Sequence, residues 1–145
     1  MLLDIRSDTP QVIWRNNNLG ADVAPCVYLD GYVFGCHDAA LFRGSMRIAG
    51  TLRCLDFRNG NVIWERDLGQ PVSLSVSSNR LFVLSEEGIL QIAEAGPTGF
   101  KLISSCDILD EKETARKFWT PPVLCNGRIY CRNYGGDLVC IDVSN

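Results

Sequence analysis

The chain has 145 residues, 46% of them hydrophobic, and a formal net charge of −3, so it can build a core and carries no electrostatic footprint for nucleic acid. No apolar run is long enough to span a membrane, and Met1-Leu2-Leu3-Asp4-Ile5-Arg6 lacks the charged start and long apolar stretch of a secretory signal. It reads as an ordinary folded soluble protein.

In chain order, the first predicted element is the outer strand Val12-Ile13-Trp14-Arg15, leading to Leu19-Gly20. The run Val62-Ile63-Trp64-Glu65 before Leu68-Gly69 repeats it, so residues 1–20 are expected to form the last strand of a preceding blade. Between them come Asp30-Gly31-Tyr32-Val33-Phe34 and Gly50-Thr51-Leu52-Arg53-Cys54-Leu55-Asp56. Both recur, as Ser78-Asn79-Arg80-Leu81-Phe82 with Gly88-Ile89-Leu90-Gln91-Ile92-Ala93-Glu94, and as Asn126-Gly127-Arg128-Ile129-Tyr130 with Gly136-Asp137-Leu138-Val139-Cys140-Ile141-Asp142. Self-similarity at about 40 to 50 residues marks a propeller, solenoid or array. The turn pairs Asp30-Gly31, Asn59-Gly60 and Asn126-Gly127 suit tight hairpins, and no long helical period competes.

The predicted fold is therefore all-β, a partial propeller of about three four-stranded antiparallel blades. Residues 1–20 are the outer strand of a preceding blade, 21–69 a blade, 70–109 a degenerate blade, 110–117 a linker and 118–145 an incomplete last blade lacking its fourth strand. The linker is either one helical turn capped by Asp110 or a solvated segment, with Glu111, Lys112, Glu113, Arg116 and Lys117 in water. An open first strand and a missing last strand predict either association, most simply a dimer, or completion by further blades of the same propeller.

One connection departs from the repeat. Gly31 and Gly50 are 19 residues apart, whereas Asn79 to Gly88 and Gly127 to Gly136 are each 9, implying an insertion of about ten residues within 37–49. His37, Asp38, Arg43 and Arg47 make it a candidate binding loop for an anion or peptide; the plainer alternative is a decorated surface loop. Adjacent residues on an extended segment face opposite ways, so His37 and Asp38 do not form a catalytic pair without a turn between them. The seven cysteines contain no Cys-x-x-Cys pair and accompany a single histidine, which does not support a zinc site. They are expected to be mostly buried thiols, with Cys54 and Cys140 at equivalent third-strand positions.

The segment Cys54-Leu55-Asp56-Phe57-Arg58-Asn59-Gly60-Asn61-Val62-Ile63-Trp64 resembles the tryptophan-docking repeat of quinoprotein-like propellers, A-x-D-x-x-T-G-x-x-x-W, with Asp56, Gly60 and Trp64 matching outright. Phe118-Trp119-Thr120-Pro121-Pro122-Val123-Leu124 resembles the start of a blade in the same pyrroloquinoline-quinone-like repeats. The middle blade departs, with Glu94 for the Asp, an extra residue before Thr98-Gly99, and no Trp. The resemblance implies a structural docking motif of Asp56, Gly60, Trp64 and Trp14, in which each indole lies over the next blade.

For function, the resemblance implies a non-catalytic binding or assembly scaffold like the barrel-assembly lipoproteins, with no catalytic residue, metal or cofactor. Its rival is part of a quinone-dependent dehydrogenase, holding pyrroloquinoline quinone and calcium. The expected partner is a protein or the remaining blades, not nucleic acid. The resemblance implies a periplasmic or exported location if a longer precursor carries a signal, and a cytoplasmic one otherwise.

Overall fold

The computed structural model describes residues 1–20, 24–38, 50–108 and 117–144, and all its regular elements are strands. A hairpin of β1 (Leu2–Asp4) and β2 (Gln11–Trp14) comes first. The first full blade is the meander β3 (Val27–Leu29), β4 (Tyr32–Asp38), β5 (Gly50–Asp56) and β6 (Val62–Asp67). The second is β7 (Val72–Ser77), β8 (Arg80–Ser85), β9 (Ile89–Glu94) and β10 (Lys101–Asp107). A three-stranded blade follows, β11 (Val123–Cys125), β12 (Arg128–Arg132) and β13 (Leu138–Asp142). Every pairing is between chain neighbours and antiparallel. Among the described residues no helix is long and apolar enough to cross a membrane.

Turn chemistry sets the meander. Asp30-Gly31 and Asn126-Gly127 both take positive φ, as two-residue hairpin turns require, and Ser78 does so at the matching place in the second blade. The blades are tied alike: Phe57, Ala95 and Val143 each donate a backbone N–H to the first-turn carbonyl of their own blade, at Gly31, Asn79 and Gly127.

The core lies between blades. Phe34, Cys36, Leu52 and Cys54 of the first full blade pack against Val72, Leu74, Leu81 and Val83 of the second. Phe82, Leu84 and Leu90 of the second pack against Phe118, Ile129 and Cys131 of the third. The period-2 alternation of β8 thus sends Leu81 and Val83 one way and Phe82 and Leu84 the other, a strand covered on both faces. Each such side chain contributes roughly 1.5–3 kcal/mol by leaving water. On β7 the alternation is apolar against hydroxyl: Val72 and Leu74 face the first blade, while Ser73 Oγ donates to the Trp119 carbonyl at 3.0 Å and Ser75 Oγ to that of Pro122.

Three sequence expectations change. The first described residues form two strands rather than one, because Leu2-Leu3 pairs with Val12–Trp14 as Cys54-Leu55 pairs with Val62–Trp64. Adding such a hairpin to a three-stranded blade would give five strands, so the simple strand count behind dimer closure does not hold unless β2 leaves β1. Only Cys36, Cys54 and Cys131 are buried, while Cys26, Cys106, Cys125 and Cys140 are exposed; no disulfide joins them. Cys54 is covered by the second blade, but nothing among the described residues covers its equivalent, Cys140. Finally, Lys117 is not simply solvated: its Nζ lies 3.4 Å from Glu86 Oε2. Residues 109–116, holding the rest of the expected linker, fall outside the described residues.

Candidate functional site

The antiparallel meander gives the molecule two ends. At one end lie the first-to-second and third-to-fourth strand turns, and there the docking residues meet. Asp56 Oδ1 accepts the Arg58 N–H at 2.7 Å, Asn59 Oδ1 accepts the Asn61 N–H at 2.8 Å, and the Gly60 N–H returns to the Asp56 carbonyl at 2.8 Å. This closes a rigid turn in which Gly60 has φ +72°. The Trp14 indole from the hairpin lies against it: a Cβ at residue 60 would sit 2.7 Å from Trp14 Cε3. Trp14 Nε1 donates to the Phe57 carbonyl at 2.9 Å, and Asn16 and Asn18 Nδ2 donate to the Gly60 carbonyl at 2.7 and 2.9 Å.

The same contact recurs one blade on. Trp64 Nε1 donates to the Gly96 carbonyl at 2.9 Å, and its ring stands 6.1 Å from that of Phe34 at the rim of the interblade core. Arg66 on the same strand places its guanidinium 4.9 Å from the Phe100 ring centroid of the next blade. Both indoles are half-buried rather than fully enclosed. Beside Trp14 a cleft of about 330 Å³ separates the hairpin from the first full blade, lined by Leu2, Val33, Leu55 and Phe57 among others.

The other end carries the second-to-third turns and the connections between blades. His37 and Asp38 belong to β4 itself, paired with Thr51 and Gly50, so they are strand residues rather than loop residues. His37 Nδ1 accepts the Gly20 N–H at 3.0 Å, which makes this nitrogen unprotonated in the bonded form and fastens the hairpin exit to the blade. Arg43 and Arg47 lie outside the described residues. β4 ends at Asp38 and β5 begins at Gly50 at this end, and residues 39–49 lie outside the described residues. Gly50 begins the return strand because a Cβ there would strike the Gln70 carbonyl of the interblade connection.

Here too is a cluster that sequence reasoning missed. Trp119 and Tyr134 form an exposed aromatic pair, centroids 5.3 Å apart and planes tilted by 59°, with 42% and 75% of their surfaces accessible. Glu86 holds it: its Oε1 accepts Trp119 Nε1–H at 3.1 Å, its Oε2 faces Lys117, and its carbonyl accepts the Phe118 N–H at 3.0 Å. Tyr134 N–H donates to the Lys117 carbonyl at 2.7 Å, so the connection into the last blade and its second turn are joined. Buried Phe118 anchors the segment that turns Trp119 outward. The available signal was the apolar-aromatic pair Phe118-Trp119, of which only one ring fits into a single interblade core.

Comparison with known proteins follows the same lines. The chain is 29% identical over 97 residues to the outer membrane protein assembly factor BamB of Escherichia coli (strain K12), covering 66% of this chain and 23% of that protein. Its structure matches BamB from Moraxella catarrhalis with TM-score 0.61 at 15% identity, covering 83% of this chain and 37% of that one. The chain has the fold of a partial β-propeller and is similar in sequence to BamB. A quinohemoprotein alcohol dehydrogenase from Pseudomonas putida HK5 shares the fold, with TM-score 0.64 at 20% identity over 83% of this chain and 19% of that one. No protein-family model matches. The propeller segment spans about a quarter of the length of the BamB relatives.

Proposed function

We propose that this propeller segment is a non-catalytic scaffold for protein binding or assembly, and that its recognition surface is the end bearing Trp119 and Tyr134. The observation that carries this reading is the outward aromatic pair fixed by Glu86 on a rigid sheet framework. Exposed Trp and Tyr bury large area at small entropic cost and are enriched where proteins bind tightly. The similarity to an assembly factor adds support, and on this reading the protein works as an exported component in outer membrane assembly. Quantitative affinity capture with the wild type and with Trp119→Ala/Tyr134→Ala tests it. Capture of an outer membrane assembly protein by the wild type, lost in the double variant, is expected; equal capture by both would overturn the surface assignment.

The dehydrogenase reading has the shared fold in its favour, and fold alone does not carry chemistry. Among the described residues no three His, Cys, Asp or Glu side chains lie together in a group that could hold a metal ion. A stoichiometric quinone chromophore with dye reduction, in full-length protein given quinone and calcium, would establish it against the scaffold.

A further inference from the structure

Equivalent positions at successive blade junctions carry side chains of different size. Between the hairpin and the first full blade, long side chains reach across. Arg53 on β5 donates from Nη1 to the Asn18 carbonyl at 2.8 Å and from Nε to Glu65 Oε2 at 3.0 Å. His37 on β4 takes the Gly20 N–H. Leu19 lies against Gly35, where an added Cβ would stand 3.0 Å from Leu19 Cδ2.

One blade on, the same positions are smaller. Gln91 stands opposite Val83 as Arg53 stands opposite Gly35. Ser85 takes the place of His37, and Leu68 that of Leu19. A pocket of about 180 Å³ is left between the exit from the first full blade, residues 68–70, and the β7–β9 face of the second. Leu68, Val83 and Ile89 give it apolar walls, and no Lys or Arg lines it. Ser85 Oγ accepts the Ile89 N–H at 3.0 Å. Gln70 holds Glu87, with Oε1 accepting the Glu87 N–H at 3.2 Å and Nε2 donating to Glu87 Oε2 at 3.4 Å, which fixes a carboxylate beside the pocket. The Gln91 carboxamide lines the pocket without a hydrogen bond to any described residue.

We infer that this pocket takes an arginine side chain presented by a protein partner, its methylenes along Leu68, Val83 and Ile89 and its guanidinium shared between the Gln91 carboxamide oxygen and Glu87. Volume is the first reason: the pocket is smaller than the roughly 300 to 1,000 Å³ of small-molecule sites and suits one long side chain. Chemistry is the second. The Gln91 oxygen and the Glu87 carboxylate are acceptors, and a guanidinium brings donors in a fixed fork with the charge that Glu87 lacks. The third is the repeat itself, since the first full blade already places a guanidinium, that of Arg53, at the equivalent position. The pocket lies at the end that carries Trp119 and Tyr134, and turn 85–88 stands between them: Ser85 lines the pocket while Glu86 holds the aromatic pair. That the arginine belongs to a protein rests on the scaffold reading; the preference for a guanidinium does not.

N-acetyl-arginine amide, titrated into isotope-labelled protein and followed by nuclear magnetic resonance, tests the pocket, with N-acetyl-citrulline amide as the neutral isostere. Saturable shifts of the Gln91 side-chain amide and the Ile89 N–H are expected, with binding at least about fivefold weaker for citrulline. Gln91→Arg gives the second blade the side chain that the first already carries, so it should keep the fold, as circular dichroism would show, and abolish the Ile89 shift. Trp119→Ala/Tyr134→Ala should leave that shift in place. In the affinity capture that tests the scaffold, Gln91→Arg should lower capture of the outer membrane assembly protein at least about tenfold. Equal binding of the two probes, or arginine binding unchanged by Gln91→Arg, would overturn the pocket; undiminished capture by Gln91→Arg would overturn its use by the partner. Should the wild type capture no such protein, the scaffold reading and the protein source of the arginine fail together, while the probe titration decides the pocket by itself.

Discussion

Trp64→Ala tests how the blades hold one another. The indole is half-buried, so its removal returns roughly 100 Å² to water, or about 2.5 kcal/mol at about 25 cal/mol per Å². Loss of the Nε1 bond to the Gly96 carbonyl adds about 1 kcal/mol. The expected cost is about 3.5 kcal/mol, toward the low end of the range for truncating a large aromatic because the ring sits at the rim of the interblade core. Trp64→Phe keeps most of the contact with Phe34 but not the hydrogen bond, and is expected to cost about 1 to 1.5 kcal/mol. Urea unfolding followed by circular dichroism measures both against Ile63→Ala, an exposed bulge control. A loss below about 1 kcal/mol for Trp64→Ala, or one equal to that of the control, would refute the idea that this ring joins adjacent blades.

At Gly60 an added methyl would meet both positive φ and the Trp14 ring, so Gly60→Ala should cost at least about 2 kcal/mol in the same assay. Burial, with the neighbouring Asp56 carboxylate, pushes the Cys54 thiol up to about 12, and burial pushes Cys131 up to about 11. At pH 8 an aromatic disulfide reagent should therefore modify Cys26, Cys125 and Cys140 in the folded state and reach Cys54 and Cys131 only on unfolding, as peptide mapping would show. The side-chain and backbone hydrogen bonds from Arg6 hold the Asp4 carboxyl down at about 2. A depressed carboxylate stabilises the fold above its unfolded value of about 3.9 and loses that effect as pH falls toward 2, so the urea midpoint should drop through this window. Asp4→Asn should flatten the drop, by a small and salt-sensitive amount because the pair is exposed.

Much of the architecture was legible because propeller blades write their turns and alternation locally. The Asn126-Gly127 turn was legible, and the Arg128-Ile129-Tyr130 repeat after it opens the strand Arg128–Arg132. The hairpin at the start was missed although Leu3-Asp4-Ile5-Arg6 parallels Leu55-Asp56-Phe57-Arg58; its turn is two residues longer, and that insertion hid the register. Burial of equivalent residues was not legible at all. Cys54 and Cys140 share a place in the repeat, and only the neighbouring blade makes one buried and the other exposed. The same holds for Trp119 and Tyr134, 15 positions apart in sequence, whose pairing depends on Glu86 from another blade. His37 read as part of a loop because the insertion after it breaks the repeat spacing, yet β4 continues through Asp38 before the segment departs.

The central functional claim is that the Trp119–Tyr134 end, and not the docking end, meets a protein partner. A photoreactive benzoylphenylalanine placed at position 134, and at position 58 on the opposite end as control, tests it in intact cells of the source organism. The account predicts an ultraviolet-dependent crosslink from position 134, to a protein of outer membrane assembly identified by mass spectrometry, with none to that protein from position 58. Crosslinking to that protein from position 58 alone, or no protein crosslink from position 134, would contradict it.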